Sequence, residues 1–347
     1  MRIQEAIGEL LEGRDLAGPD MEQVMRQVMT GEATPAQIGG LLVALRMKGE
    51  TADELAAAAT VMRELSTKVH ITGAHLVDIV GTGGDGGRLF NVSTAASFVA
   101  AAAGARVAKH GNRSVTSSSG STDVLEAAGI CVDLTPEQVA RCVQEVGVGY
   151  MFAVAHHTAM RHAIGPRREL AVRTVFNLLG PLTNPAAVPN MLVGVFSERW
   201  QEPFARVLRQ LGAAHVLVVH AADGLDEISI AAPTRVVELR GGHISEYLIE
   251  PEDFGLRRAS LDELVVADPK ASYAVIERAF SGECQAARDI VALNAGAALY
   301  AADVCRDIAT GVRLADDVMA SGQAWQKLQE LADFTAMLAA IDEGAGA

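Results

Sequence analysis

Apolar residues recur at helical spacing through the first 66 positions and then stop doing so. Ile3, Ile7, Leu10 and Leu11 make one stripe, and Met21, Val24, Met25 and Val28 a second. Ile38, Leu41, Leu42 and Leu45 make a third, and Leu55 to Leu65 a fourth, all at the three- and four-residue intervals of one helix face. Thr34-Pro35 and Thr51 to Glu54 read as helix starts, the second a capping box. These stripes predict a small all-helical domain over residues 1–70, and helices around 165–190 are expected to complete it.

From His75 short β-rich runs take over at 75–80, 106–110, 131–134, 148–154, 192–196 and 215–221. Helical stretches near 93–103, 121–129 and 135–146 alternate with them, which is the rhythm of a doubly wound, mostly parallel sheet. Arg235 to Arg240 and His243 to Ile249 flank Gly241-Gly242 and read as a hairpin at a sheet edge. The last seventy residues return to helix, with Ile290, Leu293 and Ala297 on one face. The expected fold class is α/β, the helical domain being followed over 71–347 by a larger doubly wound domain that binds phosphate.

Composition changes this picture little but narrows the setting. The 347 residues are half hydrophobic and about a fifth charged, enough for one large core and a smaller satellite. The longest apolar run, Ala95 to Ala103, is short and alanine-rich, so no membrane span is expected. Arg2, Glu5 and Glu9 among the first apolar residues argue against a signal or transit peptide, and a cytoplasmic protein is expected. A formal net charge of −14 opposes nucleic-acid or acidic-membrane partners over the surface at large. Cys131, Cys142, Cys284 and Cys305 show no CxxC pair and no matching histidine spacing, so buried thiols are expected, not a zinc site or a disulfide framework.

The chemistry concentrates where strands end. If the strands are parallel, right-handed crossovers bring their carboxyl ends to one side. Strand 75–80 runs into GTGGDGG, and Asn91, Ser93 and Thr94 then open a helix whose N-terminus favours anions. Neither a P-loop nor a G-x-G-x-x-G fingerprint is present, which disfavours an NTPase or a dinucleotide enzyme. Strand 106–110 runs into Lys109, His110, Asn112 and Arg113, followed by Ser114, Thr116 and Ser117 to Ser119, cations and hydroxyls suited to a second polyanionic group. Two such loops one βαβ unit apart suit a ligand phosphorylated at both ends, of which phosphoribosyl pyrophosphate is one.

Asp226-Glu227 follows strand 215–221 in an Asp-Gly-Leu-Asp-Glu turn. In isolation it reads as a solvated acidic turn; beside phosphate loops it suits a hard cation such as Mg²⁺. The segment HHTAMRHAIGPRREL carries Arg161, Arg167 and Arg168, one of which could read a substrate carboxylate. Phe176 to Pro185 reads as a helix ending at Gly180-Pro181, a structural hinge.

GTGGD, NVST, KHGNRSV, GSTDVLEAAG, HHxAM…RRELxxRTxFNxLGPLTNP and GLDEIS together resemble the anthranilate phosphoribosyltransferase family over essentially the whole chain. The resemblance implies transfer of a phosphoribosyl group to anthranilate in tryptophan biosynthesis, with Mg²⁺, in a homodimer formed through the helical domain. It implies phosphoribosyl pyrophosphate contacts at Gly81, Gly84, Asp85, Asn91, Val92, Ser93, Thr94, Lys109, His110, Gly111, Asn112, Arg113, Ser114, Val115, Thr116, Ser117 and Ser121. Gly81, Asn112 and Arg167 would contact anthranilate, Ser93, Asp226 and Glu227 would hold Mg²⁺, and Lys109, Arg167 and Asn112 would serve catalysis. Leu89 replaces a Thr or Ser usual in the family, and Val154 and Thr158 replace common prolines. A pyrimidine nucleoside phosphorylase is the nearest rival enzyme, and a non-catalytic regulatory protein that binds a phosphorylated metabolite is the rival of another class.

Overall fold

Capping decides where the first four helices begin. The computed structural model describes residues 1–84, 89–113 and 119–345, the last four of these by backbone alone. Helices α1 (Ile3–Leu11), α2 (Gly18–Thr30), α3 (Pro35–Lys48) and α4 (Ala52–Leu65) form the N-terminal bundle. Thr34 Oγ1 accepts the Gln37 N–H with Pro35 in the first turn, and Thr51 and Glu54 exchange hydrogen bonds of 2.9 and 3.2 Å. The stripes face inward, Ile3, Leu10, Met21, Val24, Leu41, Leu45, Leu55 and Val61 being buried, except that Leu11 at the end of α1 is exposed. The helix Arg161–Leu170 packs against α2 and α3.

Seven strands follow: β1 (Leu76–Gly81), β2 (Arg106–Gly111), β3 (Val148–Phe152), β4 (Asn190–Gly194), β5 (His215–Ala221), β6 (Thr234–Arg240) and β7 (His243–Ile249). They form one sheet in the order β3-β2-β1-β4-β5-β6-β7, parallel from β3 through β5 and antiparallel beyond. The chain winds outward from β1 through β2 and β3, then returns to build β4 on the other side of β1. The boundary between β1 and β4 is therefore the switch point at which such sheets open a crevice. The hairpin of β6 and β7 closes one edge, as its Gly-Gly turn predicts.

Two strand predictions need correction. Residues 131–134 are not a strand, although Val132 and Leu134 are buried and Asp133 is exposed. The Cys131 N–H donates to the Thr335 hydroxyl at 3.1 Å, so the segment runs extended against the C-terminal helix without a strand partner. The run expected at 192–196 pairs two residues earlier, with Val77 opposite Asn190 and Gly81 opposite Gly194. Cys142 and Cys284 are buried and Cys131 and Cys305 half-buried, all as free thiols. No helix among the described residues is long and apolar enough to cross a membrane.

Bundle and sheet are stitched together where the chain passes between them. The Thr67 N–H donates to the His156 carbonyl at 2.8 Å, and the His156 ring returns a bond from Nδ1 to the Thr67 carbonyl at 3.0 Å. Arg63 of α4, half enclosed, donates to the Leu182 carbonyl at 2.7 Å and the Leu211 carbonyl at 3.4 Å. Burial draws the Arg63 pKa down to about 10.

Candidate active site

Two buried groups of opposite charge, on the neighbouring strands β1 and β2, underlie the crevice. Asp78 on β1 is wholly buried, accepting the His110 N–H at 3.2 Å and the Asn184 amide at 2.8 Å. Burial raises its pKa to about 6, against the pull of Lys109 and the Asn184 bond. Lys109 on β2 is also buried; its Nζ donates to the Ile79 carbonyl and to Ser93 Oγ at 3.2 Å. Burial lowers the Lys109 pKa, and Asp78 and Glu227 oppose that shift. The ammonium thus stands at the first turn of helix α5 (Val92–Ala102), where the negative fields of Asp78 and Glu227 favour its charged form. His110 is a different case. Burial, then His157 and His156, push its pKa well below the ordinary value, and its ring meets His157 edge-on at 5.1 Å. His110 is therefore disfavoured as a cation at this strand end.

The glycine-rich loop and the acidic turn meet directly. Gly83 donates its N–H to Asp226 Oδ2 at 2.7 Å, although 143 residues separate the two. A Cβ on Gly194 would fall 1.5 Å from the Asp226 carbonyl oxygen, so the absence of a side chain there lets the acidic turn lie on the sheet. Because that neighbour is backbone and cannot swing aside, Gly194→Ala is expected to cost about 3 kcal/mol of stability, read by chemical denaturation. Of the Asp223 to Ser229 turn, Asp223 and Ser229 bond each other through Ser229 Oγ at 2.5 Å. Asp226 and Glu227 line the cleft. Among the described residues no cluster of three or more His, Cys, Asp or Glu forms a closed cage. Two adjacent carboxylates and the Ser93 hydroxyl are an all-oxygen set that fits Mg²⁺, which keeps open positions for substrate phosphates.

The second loop approaches from β2. His110, Gly111, Asn112, Arg113 and Ser121 line the same cleft, which encloses about 380 Å³. Arg113 is engaged by a bidentate pair with Glu126, both bonds 2.6 Å, and by Asp123 at 3.1 Å. Ser121 Oγ shares a 3.0 Å hydrogen bond with the Tyr150 hydroxyl. Asn91 differs from its expected role. Its side chain does not cap α5 but accepts from Ser119 and Ser272, both at 2.7 Å, and donates to the Ser119 carbonyl. With no capping bond from the Asn91 side chain, the positive N-terminal end of α5 faces the cleft through Val92 and Ser93.

Arg167 is the arginine of its segment that reaches the cleft; Arg161 bonds His162 and Arg168 is exposed. Its guanidinium lies 5.2 Å from the Phe176 ring centroid, burial lowers its pKa, and no carboxylate pairs with it among the described residues. Gly81, Gly84, Val92 and Ser93 also line the cleft. Thr94 does not: its hydroxyl is buried within α5, without a hydrogen-bond partner among the described residues. Asp85, Ser114, Val115, Thr116 and Ser117 lie outside the described residues. Arg173 and Asn177 also line the cleft, without having been singled out from the sequence. Arg173 stood inside the RRELxxRTxFN block, and only its contacts distinguish it.

Two family models match the chain: "Glycosyl transferase family, helical bundle domain" over residues 4–66, and "Glycosyl transferase family, a/b domain" over 73–325. The anthranilate phosphoribosyltransferase of Thioalkalivibrio sulfidiphilus is 60% identical over 336 residues, spanning 97% of this chain and 99% of the relative. The chain belongs to the anthranilate phosphoribosyltransferase family. The Chromohalobacter salexigens member is 61% identical over 99% of this chain and 100% of its own. Among solved structures, the enzyme of this family from Thermus thermophilus superposes with a TM-score of 0.90 at 44% identity, over 95% of this chain and 99% of that one. The Saccharomyces cerevisiae enzyme, solved with PRPP and Mg, gives 0.88 at 25% identity over 96% and 98%.

Within the anthranilate phosphoribosyltransferase family, the departures of this chain have local explanations. Leu89 forms an isolated antiparallel bridge with Val265, and the next N–H, of Phe90, donates to the Leu264 carbonyl at 3.0 Å. An apolar residue thus anchors the loop exit where a hydroxyl is usual. Val154 is exposed in the short helix Ala153–His156, and Thr158 opens a 3₁₀ turn, so neither position requires a proline to shape the backbone.

Proposed function

We infer that the chain transfers the phosphoribosyl group of 5-phosphoribosyl 1-pyrophosphate to the amine of anthranilate, giving N-(5-phosphoribosyl)anthranilate and pyrophosphate, a step of tryptophan biosynthesis. The observation that carries this reading is that Gly81, Lys109 and Glu227 line one cleft, together with Arg167, which has no carboxylate partner among the described residues. The acidic pair and a second phosphate loop go beyond what phosphorolysis of a nucleoside needs, and retention of Lys109 weighs against a non-catalytic relative.

The amine attacks C1 of the ribose as pyrophosphate departs, through a transition state of oxocarbenium character. Negative charge grows on the leaving group, so donors fixed beforehand give most of the rate. Lys109 and the first turn of α5 are such donors. Mg²⁺, held by Ser93, Asp226 and Glu227, would neutralise pyrophosphate oxygens as a Lewis acid. An aryl amine is neutral at pH 7, so positioning by Arg167 and Asn112 replaces a strong general base. Of the remaining contacts, Gly84, Asn91, Val92, His110, Gly111 and Ser121 would shape the donor site.

Residues 1–70 with the helix Arg161–Leu170 would form one domain and the rest of 71–347 the other, with the cleft between them. Leu11 and Met47, 68% and 79% exposed on α1 and α3, support a homodimer through the bundle. The direct test is fluorescence loss of anthranilate that requires both phosphoribosyl pyrophosphate and Mg²⁺, with uridine and thymidine phosphorolysis as controls. Turnover of the nucleosides instead would overturn the reading. Arg167→Ala should raise the anthranilate KM by about 10- to 100-fold and leave the KM for phosphoribosyl pyrophosphate nearly intact.

A further inference from the structure

Arg173 is a second arginine of the cleft without a carboxylate partner among the described residues, and its surroundings differ from those of Arg167. Its guanidinium carbon stands 4.2 Å from the centroid of the Phe196 ring. Phe196 is fixed beneath the glycine-rich loop, its N–H donating to Thr82 Oγ1 at 3.0 Å. A Cβ on Gly84 would fall 2.3 Å from one terminal nitrogen of Arg173, 2.7 Å from Cζ and 3.1 Å from the other. Because Cζ is nearer than the second nitrogen, Gly84 sits over the guanidinium plane, not along its edge. Gly84 also has φ +77°, a conformation in which a side chain would be strained. Contacts made through the faces leave the in-plane N–H donors for a pair of oxygens.

The position selects which oxygens. Gly83, next to Gly84, is bonded to Asp226, so Arg173 stands on the acidic-pair side of the cleft. Asn112 and Arg113 follow the end of β2, on the other loop. We propose that Arg173 binds the pyrophosphate end of the donor substrate, its in-plane N–H groups pairing with diphosphate oxygens beside the Gly83-Gly84 turn. The proposal rests on the transferase reading above. It adds a cation to a diphosphate site otherwise supplied by the metal, Lys109 and backbone N–H groups.

The test uses Arg173→Met, which keeps an unbranched stem against Phe196, and Arg173→Lys, which keeps charge without the planar fork. Inhibition by inorganic pyrophosphate and by ribose 5-phosphate, both with Mg²⁺, separates the two ends of the donor. In Arg173→Met the pyrophosphate Ki and the phosphoribosyl pyrophosphate KM should rise together by about 10- to 100-fold. Ribose 5-phosphate inhibition and the anthranilate KM should stay within about twofold. Arg173→Lys should recover part of the loss, and it carries the test alone if the Met variant does not fold. Equal weakening of pyrophosphate and ribose 5-phosphate would overturn the proposal in favour of a loop-holding role, and a rise confined to anthranilate would overturn it in favour of a carboxylate site. A wild-type chain that binds magnesium pyrophosphate in an Arg173-dependent way by calorimetry, yet leaves anthranilate unconsumed, would support the Arg173 site and overturn the transferase reading.

Discussion

Replacing Asp226 by Asn and Glu227 by Gln together is expected to lower kcat/KM by about 10²- to 10³-fold and to move the Mg²⁺ activation midpoint to much higher concentration. Both substitutions preserve side-chain size, and an amide oxygen at 226 can still accept the Gly83 N–H, so the loop contact survives. What is lost is the negative charge that attracts a hard cation. Glu227 also helps to keep Lys109 protonated, so the double variant weakens the remaining cation as well. Anthranilate fluorescence followed across an Mg²⁺ titration checks this. A variant that keeps wild-type kcat/KM and Mg²⁺ dependence would show that the pair is only an acidic turn.

Lys109→Met should be costly in two separable ways. Catalysis should fall by about 10²-fold or more with the loss of a fixed positive charge at the leaving group. Stability should fall by about 3–5 kcal/mol, because Asp78 is left buried without its counter-charge. The pH dependence identifies the second effect. Burial already raises the Asp78 pKa to about 6, and loss of Lys109 removes an opposing influence, so the folded value climbs further. A carboxyl whose folded pKa exceeds its unfolded one favours the folded state at low pH. That stability is lost as pH rises through the folded value. Urea denaturation should therefore show a larger defect near about pH 8 than near about pH 5. Adding Asp78→Asn should remove most of the stability defect while leaving the catalytic one. If the stability loss is independent of pH and of Asp78, the two groups are not a coupled pair.

Where periodicity alone forms an element, the sequence was sufficient. The four bundle helices, the parallel strands and the edge hairpin follow from spacing, caps and a Gly-Gly turn, because each is stabilised chiefly by its own pattern of apolar residues. Residues 131–134 misled because burial alternates along any extended segment packed on a core, and only the Thr335 hydroxyl shows that its backbone partner is a helix side chain. Asn91 misled for a related reason. An Asn before a helix is a good cap in isolation, but here Ser119 and Ser272 compete for its amide. The acidic turn was ambiguous until Gly194 showed how closely it lies on the sheet. Arg173 was invisible as a site residue because its neighbours, Gly84 and Phe196, are distant along the chain and no local spacing links them.

The stitching at Arg63, Thr67 and His156 bears on how the two family modules can be treated. Cut after residue 70, the bundle would present a guanidinium that has lost its carbonyl acceptors and a Thr67 backbone that has lost both its donor and its acceptor on His156. The remaining piece would expose the matching groups. The two family modules thus share a hydrogen-bonded seam, and either half transplanted alone into another scaffold would carry seam groups that have lost these partners.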